Sequence, residues 1–569
     1  MFEPVVLPEK AKLSASAPGV EIGLAMLVAL LANFSIVAAA LPALPVDETR
    51  YLTVAWEMRA SGNWIVPTLN FAPYSHKPPL LFWLINASWS LFGLSVWPAR
   101  LVAILTMGCV LALTHRLDRD LLAKPAPVAA SSVPVLLSLP LFVALGVAIL
   151  FDMALTATVV GAMLALWRVG RRGSRRAHMA YGVCVGLGLL IKGPVVLVFT
   201  LPPALLGPTW VRSTARRGWY LRLALALGLA ASIGLAWALP AAHLGGRDYA
   251  EMLLWTQSAG RVASSFSHAR PMWFYLPVLL GFMAPLLLWR PTWIGLRRVV
   301  ASASPARNFL LAWIVPPLAL LSLISGKQMH YLLPIVPAAA LLVSLGVKDA
   351  ETRSADRWPL IVLVAGMLAG LVVVAWSGDG LLPDGSALAV SAKQLSVPLL
   401  IATGAIVLFA LLVWESSIPQ FPIAMATVNL VLLTSIALQS RARVAELFDL
   451  APVAEVIAPF ARAGRPIAVT ERTRGEFGFL ARLERPLLHV PGQQLPCWLS
   501  RHPESVAIIR SKADADRPAG YDMLYAKRYR MLETIAVVSA PSNRGEAPAS
   551  LADACGATLG GAAPAASRD

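Results

Sequence analysis

The sequence predicts an α-helical polytopic membrane protein that carries a small C-terminal α/β domain. Of its 569 residues, 57% are hydrophobic and only 14% are charged, and the mean hydropathy is +0.67. A soluble domain of this length carries more charge on its surface. The net charge of +17 comes from arginine clusters between apolar runs, which favours contact with anionic lipid headgroups and argues against nucleic-acid binding.

Apolar runs long enough to cross a bilayer recur along most of the chain. We predict about 13 transmembrane helices, at residues 22–44, 97–114, 133–150, 153–167, 179–191, 195–211, 221–242, 273–289, 309–324, 331–346, 359–376, 397–414 and 422–438. The first run lacks a convincing signal-peptide cleavage site, so we expect it to remain as a membrane anchor.

The apolar segment 78–93, PPLLFWLINASWSLFG, is too short to be a clear crossing, and we expect it to lie in the membrane interface. With this assignment the basic loops share one side of the membrane, and they begin at His115, Trp167, Val211, Arg290 and Val347. The positive-inside rule identifies that side as the cytoplasm. We therefore expect a multi-pass protein of the bacterial inner membrane, with juxtamembrane helices in a first periplasmic loop at residues 45–96.

The character of the sequence changes after Arg441. A helical run at residues 444–461 and short β-like runs from Pro466 and Val506 indicate a small α/β domain. An odd number of crossings places this domain in the periplasm. The predicted organisation is a cytoplasmic lead at 1–20, a transmembrane domain at 21–440, a periplasmic domain at 441–540 and a disordered tail at 541–569.

Two adjacent acids, Asp47 and Glu48, follow the first predicted crossing and open an amphipathic run that ends at Ala60. One interpretation is structural, because Asp47 can cap a helix and the helix dipole favours an acid such as Glu48 in the first turn. The other interpretation is catalytic. A carboxylate at the boundary of water and lipid can act as a general base, or hold a metal, for a hydroxyl group that attacks a lipid-linked electrophile. The residues by themselves leave both interpretations open.

Five segments then carry a resemblance to a known family. They are, in order, DETRYLTVAWEMRASGNWIVPTLNFAPYSHKPPLLFWL, FDMALT, LIKGPVVLV, SHARPMWFYLPVL and SGKQMHYLLPIVP. Together they resemble the signature segments of the bacterial GT-C glycosyltransferases related to protein O-mannosyltransferases (glycosyltransferase family 39), and most of all those of the lipid A aminoarabinose transferases. The resemblance covers residues 22–337. It implies a GT-C fold and the inverting transfer of a sugar from a polyprenyl (undecaprenyl) phosphate carrier to an acceptor at the periplasmic membrane face.

The resemblance also implies roles for individual residues. Asp47 and Glu48 match the Asp-Glu pair of the family's first external loop, and Asp152 lies in the FDM segment, so these three are candidate catalytic residues. Transfer leaves a polyprenyl phosphate whose charge needs cationic partners. The candidates for that role are Lys77, Arg50, Lys192, Arg261 and Lys327. The alternative for each lysine is snorkelling from the end of a span to the headgroups.

A divalent metal held by His76 and His268 is a weaker expectation, because the spacing of the histidines matches no known ligand motif. Hydrogen-bonded loop histidines are the favoured alternative. His76 also marks a departure from the family, since aminoarabinose transferases often carry an acid immediately before the lysine of the KPP segment. The identity of the sugar is therefore open.

The acceptor and the class of protein have alternatives as well. The chain lacks the large lumenal module of the eukaryotic protein mannosyltransferases, which favours lipid A or another glycolipid over a protein acceptor. A transporter or flippase of lipid-linked sugars would need ionisable groups near the middle of its spans, and the span centres are almost free of charge. We therefore predict an enzyme that binds a polyprenyl phosphate sugar, a lipid acceptor and membrane lipids.

Cysteine labelling tests the predicted topology. The residues predicted to share the periplasmic side are Asp47, Lys77, Asp152, Lys192, His268 and Lys327. In a variant without the native cysteines, a membrane-impermeant maleimide added to intact cells is expected to label Ser61→Cys. Arg171→Cys is expected to stay unlabelled until the membrane is permeabilised. Equal labelling of the two positions in intact cells would show that the predicted topology is wrong.

Overall fold

The computed structural model describes Ala39 and residues 41–122, 132–211, 216–255, 270–347, 353–358, 420–512, 521–530 and 533–541, together with isolated residues at 361, 362, 365 and 404. Most of the described chain is helical. The predicted crossings at 359–376 and 397–414, and most of the crossing at 22–44, lie outside the described residues.

Helices dominate the described chain up to Phe448. They are α1 (Asp47–Ser61), α2 (Leu80–Phe92), α3 (Val96–Leu121), α4 (Ser132–Leu137), α5 (Pro140–Gly146), α6 (Phe151–Arg172), α7 (Arg175–Lys192), α8 (Val195–Leu205), α9 (Arg216–Gly245), α10 (Arg247–Glu251), α11 (Tyr275–Leu287), α12 (Arg290–Ala301), α13 (Pro305–Leu323), α14 (Val336–Val347) and α15 (Gln420–Phe448). A small hairpin of β1 (Thr68–Leu69) and β2 (Ala72–Pro73) separates α1 from α2.

Within the described ranges, five helical segments are long and apolar enough to cross a membrane. They are Val96–Leu121, Phe151–Arg172, Gly218–Gly245, Pro305–Leu323 and Met329–Val347. Helix α2 is apolar but has only 13 residues, which makes it about 20 Å long against a hydrocarbon core of roughly 30 Å. Its length agrees with the expected interfacial position of the segment 78–93.

The predicted crossing at 133–150 is wrong as a single helix. The chain forms the short helices α4 and α5 instead, and residues 147–150 are not helical. Pro140 explains the break, because its ring has no N–H to donate and clashes with the preceding helical turn. Leu139 before it accordingly leaves the helical conformation, with a ψ of 106°.

The C-terminal part contains a mixed five-stranded sheet with the strand order β4-β3-β5-β7-β6. Its elements are α16 (Ala451–Arg462), β3 (Ile467–Val469), β4 (Leu488–His489), α17 (Leu495–Arg501), β5 (Val506–Lys512), β6 (Asp522–Tyr529) and β7 (Glu533–Ser539). Strand β3 pairs in parallel with β4 and β5, while β7 pairs antiparallel with β5 and β6. Helix α16 covers one face of the sheet and α17 the other.

The strands predicted from Pro466 and Val506 are confirmed as β3 and β5. The helix predicted at 444–461 is divided, because its first residues continue α15 and the rest form α16. Asp449 lies at the break. Its side-chain Oδ1 accepts a hydrogen bond from the Ala451 backbone N–H at 2.9 Å, a local contact that competes with a continuous helix.

Helices α12 and α14 touch backbone to backbone at two glycines. A Cβ atom built on Gly295 would lie 2.4 Å from the carbonyl carbon of Gly346, and one built on Gly346 would lie 2.5 Å from the carbonyl carbon of Gly295. Small residues allow such close helix packing in membranes, where van der Waals contact is a main source of helix association. No larger side chain fits at either position.

We expect Gly295→Val to lower the free energy of unfolding by about 1–3 kcal/mol or more. The added side chain would overlap backbone atoms of Gly346, which cannot move aside by changing a side-chain rotamer. The matched control is Gly281→Val on α11, where nothing lies within 4 Å of the added Cβ. Thermal unfolding of the purified variants in detergent measures the difference. Equal unfolding midpoints for the two variants would contradict the close packing of α12 on α14.

Candidate active site

Helix α1 begins at Asp47 and carries the acidic pair. Asp47 keeps 50% of its side-chain surface exposed and lies 3.7 Å from the guanidinium of Arg50. The capping position is occupied by Val46, which makes no side-chain capping hydrogen bond. The capping interpretation of Asp47 therefore has no hydrogen bond to support it, and its carboxylate faces solvent at the start of the helix.

Glu48, the next residue, has the opposite environment. It is 4% exposed, and its Oε2 accepts a hydrogen bond from the guanidinium of Arg100 at 2.6 Å. The backbone N–H groups of Leu44 and Ile149 donate to the same carboxylate at 2.8 and 3.0 Å. A buried charge needs such a complete set of partners. In this geometry the Glu48 carboxylate joins α1 to Arg100 and to the backbone before α6, and its catalytic role stays a prediction.

A second cluster surrounds Asp152 on the first turn of α6. The Asp152 side chain is buried, and its two oxygens lie 2.5 Å from Lys192 Nζ and 3.6 Å from His330 Nε2. Lys192 is the last residue of α7, which ends there because Gly193 adopts a φ of 68°. Its ammonium also lies 4.4 Å from the centre of the Tyr331 ring, a cation–π contact.

Phe151 connects this cluster to the first loop. The ammonium of Lys77 lies 5.5 Å from the centre of the Phe151 ring, and Lys77 interacts electrostatically with Asp152. Tyr51 of α1 packs edge-on against the same ring at a centroid distance of 4.9 Å. Burial, followed by the negative charge of Asp47, raises the pKa of Tyr51 well above its ordinary value. The Tyr51 hydroxyl therefore stays protonated and can donate a hydrogen bond.

The structure brings together five of the residues predicted from the sequence, namely Asp47, Arg50, Lys77, Asp152 and Lys192. Lys327 is used in a different contact, because its buried ammonium donates to the Arg270 carbonyl at 3.0 Å. Arg261 and His268 lie outside the described residues.

His76 is exposed, and its ring centroid lies 5.1 Å from that of Tyr74. Across the described part of the chain, no three His, Cys, Asp or Glu residues are grouped so that they could hold a metal ion. The metal predicted at His76 and His268 therefore stays a prediction, since one of its two ligands cannot be placed.

Sequence reasoning missed the roles of Arg100 and His330. Arg100 lies inside an apolar run, and a charged residue in a predicted span is itself a signal of a buried partner or a functional site. His330 was indistinguishable from a loop histidine, because its partner Asp152 is distant in the sequence. Tyr51 and Tyr331 carried no signal, since aromatic residues at span ends are common.

Comparisons with known proteins support the resemblance. Residues 76–237 match a family described as dolichyl-phosphate-mannose-protein mannosyltransferase. An undecaprenyl phosphate-alpha-4-amino-4-deoxy-L-arabinose arabinosyl transferase of Pseudomonas fluorescens is 32% identical over 338 residues, which cover 58% of this chain and 60% of the relative. The transferase of the same name from Sodalis glossinidius is 31% identical over 363 residues, which cover 58% of this chain and 62% of the relative. The chain thus spans about 60% of the length of the curated relatives it matches.

The structure is also similar to the crystal structure of ArnT from Cupriavidus metallidurans bound to undecaprenyl phosphate. The TM-score is 0.71 at 19% sequence identity, and the match covers 92% of this chain and 98% of that one. The GT-C fold is confirmed. The residues 76–237 that match the mannosyltransferase family include Lys77, Asp152 and Lys192. Asp47 precedes the matched region.

The buried pair of Glu48 and Arg100 generates a stability prediction. Arg100→Met leaves the Glu48 carboxylate without its cation, and we expect a loss of about 3–5 kcal/mol of stability. Adding Glu48→Gln to that variant removes the unpaired charge and is expected to recover part of the loss. Thermal unfolding in detergent measures both effects.

The matched control for this prediction is Arg168→Met, which breaks a partly exposed pair with Asp120. We expect that control to cost less than about 1 kcal/mol, because solvent screens exposed pairs. If Arg100→Met and Arg168→Met unfold at the same temperature, the buried pair does not hold the first loop.

Proposed function

We propose that this protein is a membrane glycosyltransferase that moves a sugar from an undecaprenyl phosphate carrier to lipid A or another envelope glycolipid. We place the reaction at the periplasmic face of the bacterial inner membrane. The observation that carries the proposal is that the half-exposed Asp47 carboxylate and the cluster of Lys77, Asp152 and Lys192 act electrostatically on the same side chain, His330, and that Asp47 and Asp152 both act on Tyr51. A solvent-accessible carboxylate can activate an attacking acceptor oxygen, and the nearby ammonium groups of Lys77 and Lys192 can stabilise a departing phosphate.

The chemistry follows from these charges. An oxygen of the acceptor attacks the anomeric carbon of the sugar, and the bond between that carbon and the carrier phosphate breaks. The electron pair of the broken bond stays on the phosphate, where Lys77, Lys192 and Arg50 compensate the developing charge. Asp152 holds the Lys192 ammonium at 2.5 Å, so this cation is oriented before the donor binds.

Asp47 is the base for an acceptor hydroxyl, whose proton passes to the carboxylate as the new bond forms. A phosphate acceptor is already ionised at neutral pH and needs no base. With such an acceptor Asp47 orients the reactants through charge. Measuring the pH dependence of transfer separates the two cases, because a base loses activity when its carboxylate is protonated.

The names of the similar enzymes support the donor class, since they are undecaprenyl phosphate aminoarabinose transferases. The arginine-rich loops support the orientation, because the site residues all fall on the side opposite to them under the positive-inside rule. His76 precedes Lys77, where aminoarabinose transferases often carry an acid. The proposal therefore specifies the undecaprenyl phosphate carrier and leaves the sugar open.

Reconstituted transfer tests the proposal. Purified protein in proteoliposomes is supplied with lipid A and with undecaprenyl phosphate carrying either 4-amino-4-deoxyarabinose or mannose, and mass spectrometry detects the modified lipid. We expect Asp47→Asn to lower the rate on the order of a hundred-fold or more with a hydroxyl acceptor. The matched control is Glu504→Gln, an exposed acid of the C-terminal part, which is expected to keep the wild-type rate.

Two outcomes would overturn the proposal or part of it. Absence of transfer from every undecaprenyl phosphate sugar by folded wild-type protein would reject the function. Near-normal transfer by Asp47→Asn, with and without a chelator and across pH, would remove Asp47 from the chemistry. Loss of wild-type activity with the chelator, restored by added metal, would support the divalent metal predicted at His76 and His268.

A further inference from the structure

The C-terminal part contacts helix α1 through one long connection between β3 and β4. We call residues 474–487 of this connection the clamp segment. The hydroxyl of Thr53 donates to the Gly475 carbonyl at 2.8 Å and accepts from the Phe479 N–H at 2.9 Å. The indole N–H of Trp56 donates to the Leu483 carbonyl at 2.8 Å. Thr53 and Trp56 are three residues apart and share one face of α1, so the clamp segment follows that face.

The clamp segment also binds the hairpin that follows α1. The Asn70 side chain donates to the Leu487 carbonyl at 3.0 Å and accepts from the Leu487 N–H at 2.8 Å. The hairpin is in turn tied to α1 by the buried carboxylate of Glu57, which accepts from the N–H groups of Asn70 and Phe71 at 2.7 and 2.9 Å. Helix, hairpin and clamp segment therefore form one hydrogen-bonded unit.

Close packing accompanies these hydrogen bonds. A Cβ atom on Gly478 would lie 2.4 Å from Thr53 Cγ2, so the backbone of the clamp segment rests directly on α1. Gly475 has a φ of 92°, a conformation that favours glycine, and an added Cβ there would lie 3.0 Å from Arg50 Cα. Phe479 stacks on Trp89 of α2 at a centroid distance of 4.8 Å. The clamp segment thus fits both helices of the first loop.

Helix α1 depends on such contacts. Its buried residues include the polar side chains of Thr49, Thr53 and Glu57, which are costly to bury without hydrogen-bond partners. A helix of 15 residues is also marginal in water by itself. The clamp segment supplies both partners of Thr53 and, through Asn70, fixes the hairpin that satisfies Glu57.

We propose that the clamp segment is a positioning device for transfer, in which the C-terminal part holds α1 so that Asp47 and Arg50 meet the donor bound at Lys77 and Lys192. This inference rests on the proposed function. Asp152 and Lys192 lie on helices α6 and α7, while Thr53 and Trp56 lie on α1 together with Asp47 and Arg50. Loosening the clamp segment therefore lowers the rate of transfer more than it weakens donor binding, because the contacts of the donor with Lys192 stay in place.

The test compares Thr53→Val, which keeps the shape of the side chain and removes both hydrogen bonds, with Thr53→Ser, which keeps the hydroxyl. We expect Thr53→Val to lower kcat on the order of ten- to a hundred-fold, since small misplacements of reacting groups have effects of that size. The KM for the undecaprenyl phosphate sugar is expected to change by a clearly smaller factor than kcat, because Lys192 and its partner Asp152 stay in place. Thr53→Ser is expected to restore kcat.

Hydrogen exchange measured by mass spectrometry gives a readout that does not need activity. We expect faster exchange in residues 47–61 of Thr53→Val and unchanged exchange in residues 151–172. Arg465→Ala, which breaks an ion pair with Glu504 away from the clamp segment, is the matched control and is expected to match wild type in both assays. If Thr53→Val does not fold, Trp56→Phe tests the same contact, because it removes the hydrogen bond to Leu483 and weakens the contact of the indole with the Arg482 guanidinium.

The outcomes are distinguishable. Unchanged exchange of residues 47–61 in a folded variant overturns the proposal, whatever the enzyme does. Faster exchange with an unchanged kcat also overturns it, because α1 is then held without effect on transfer. A parallel loss of kcat and of donor affinity assigns Thr53 a general structural role and rejects positioning. Wild-type protein that transfers no sugar rejects the proposed function, and the exchange data then report on the clamp contact alone.

Discussion

The first loop depends on the buried ion pair between Glu48 and Arg100. This pair joins four pieces of chain, because Arg100 donates to the carbonyls of Leu41 and Pro42 before α1, and Glu48 accepts from Ile149 just before α6. Ile149 is three residues from Asp152, so the same interaction that places Asp47 also places the buried cation cluster. Two charges removed from water tolerate only a narrow range of geometries, which gives the two halves of the site a defined relative position.

The candidate site has a buried part and a solvent-exposed part. Asp152 and Lys192 form a buried ion pair with the partly buried His330 beside it. Asp47 is half-exposed, so its carboxylate can meet a substrate. Phe151 forms the boundary, since the ring contacts Tyr51 and the Lys77 ammonium. This arrangement suits the proposed reaction between an amphipathic carrier, whose phosphate lies at the membrane edge, and an acceptor that approaches from water.

Helix α1 is held at two places by two different kinds of contact. Its first turn is fixed through Glu48 to the transmembrane helices, and its middle is fixed through Thr53 and Trp56 to the clamp segment. The contact with Arg100 thus fixes the position of the first turn of α1, which carries Asp47. The C-terminal part fixes the direction of the rest of the helix. The C-terminal part acquires a physical role in this way, because it covers polar groups that α1 could not bury without partners.

The sequence by itself determined the membrane class, most of the long helices, strands β3 and β5, and five charged residues of the candidate site. These residues are Asp47, Arg50, Lys77, Asp152 and Lys192. These features depend on local composition, periodicity and the order of motifs. It did not predict that Glu48 is buried while Asp47 is half-exposed, because Glu48 is buried against Arg100, 52 residues away. It also did not reveal the clamp segment, whose contact with Thr53 joins residues 422 positions apart. Pairing and burial of polar groups arise between distant parts of the chain, and only the tertiary structure decides them.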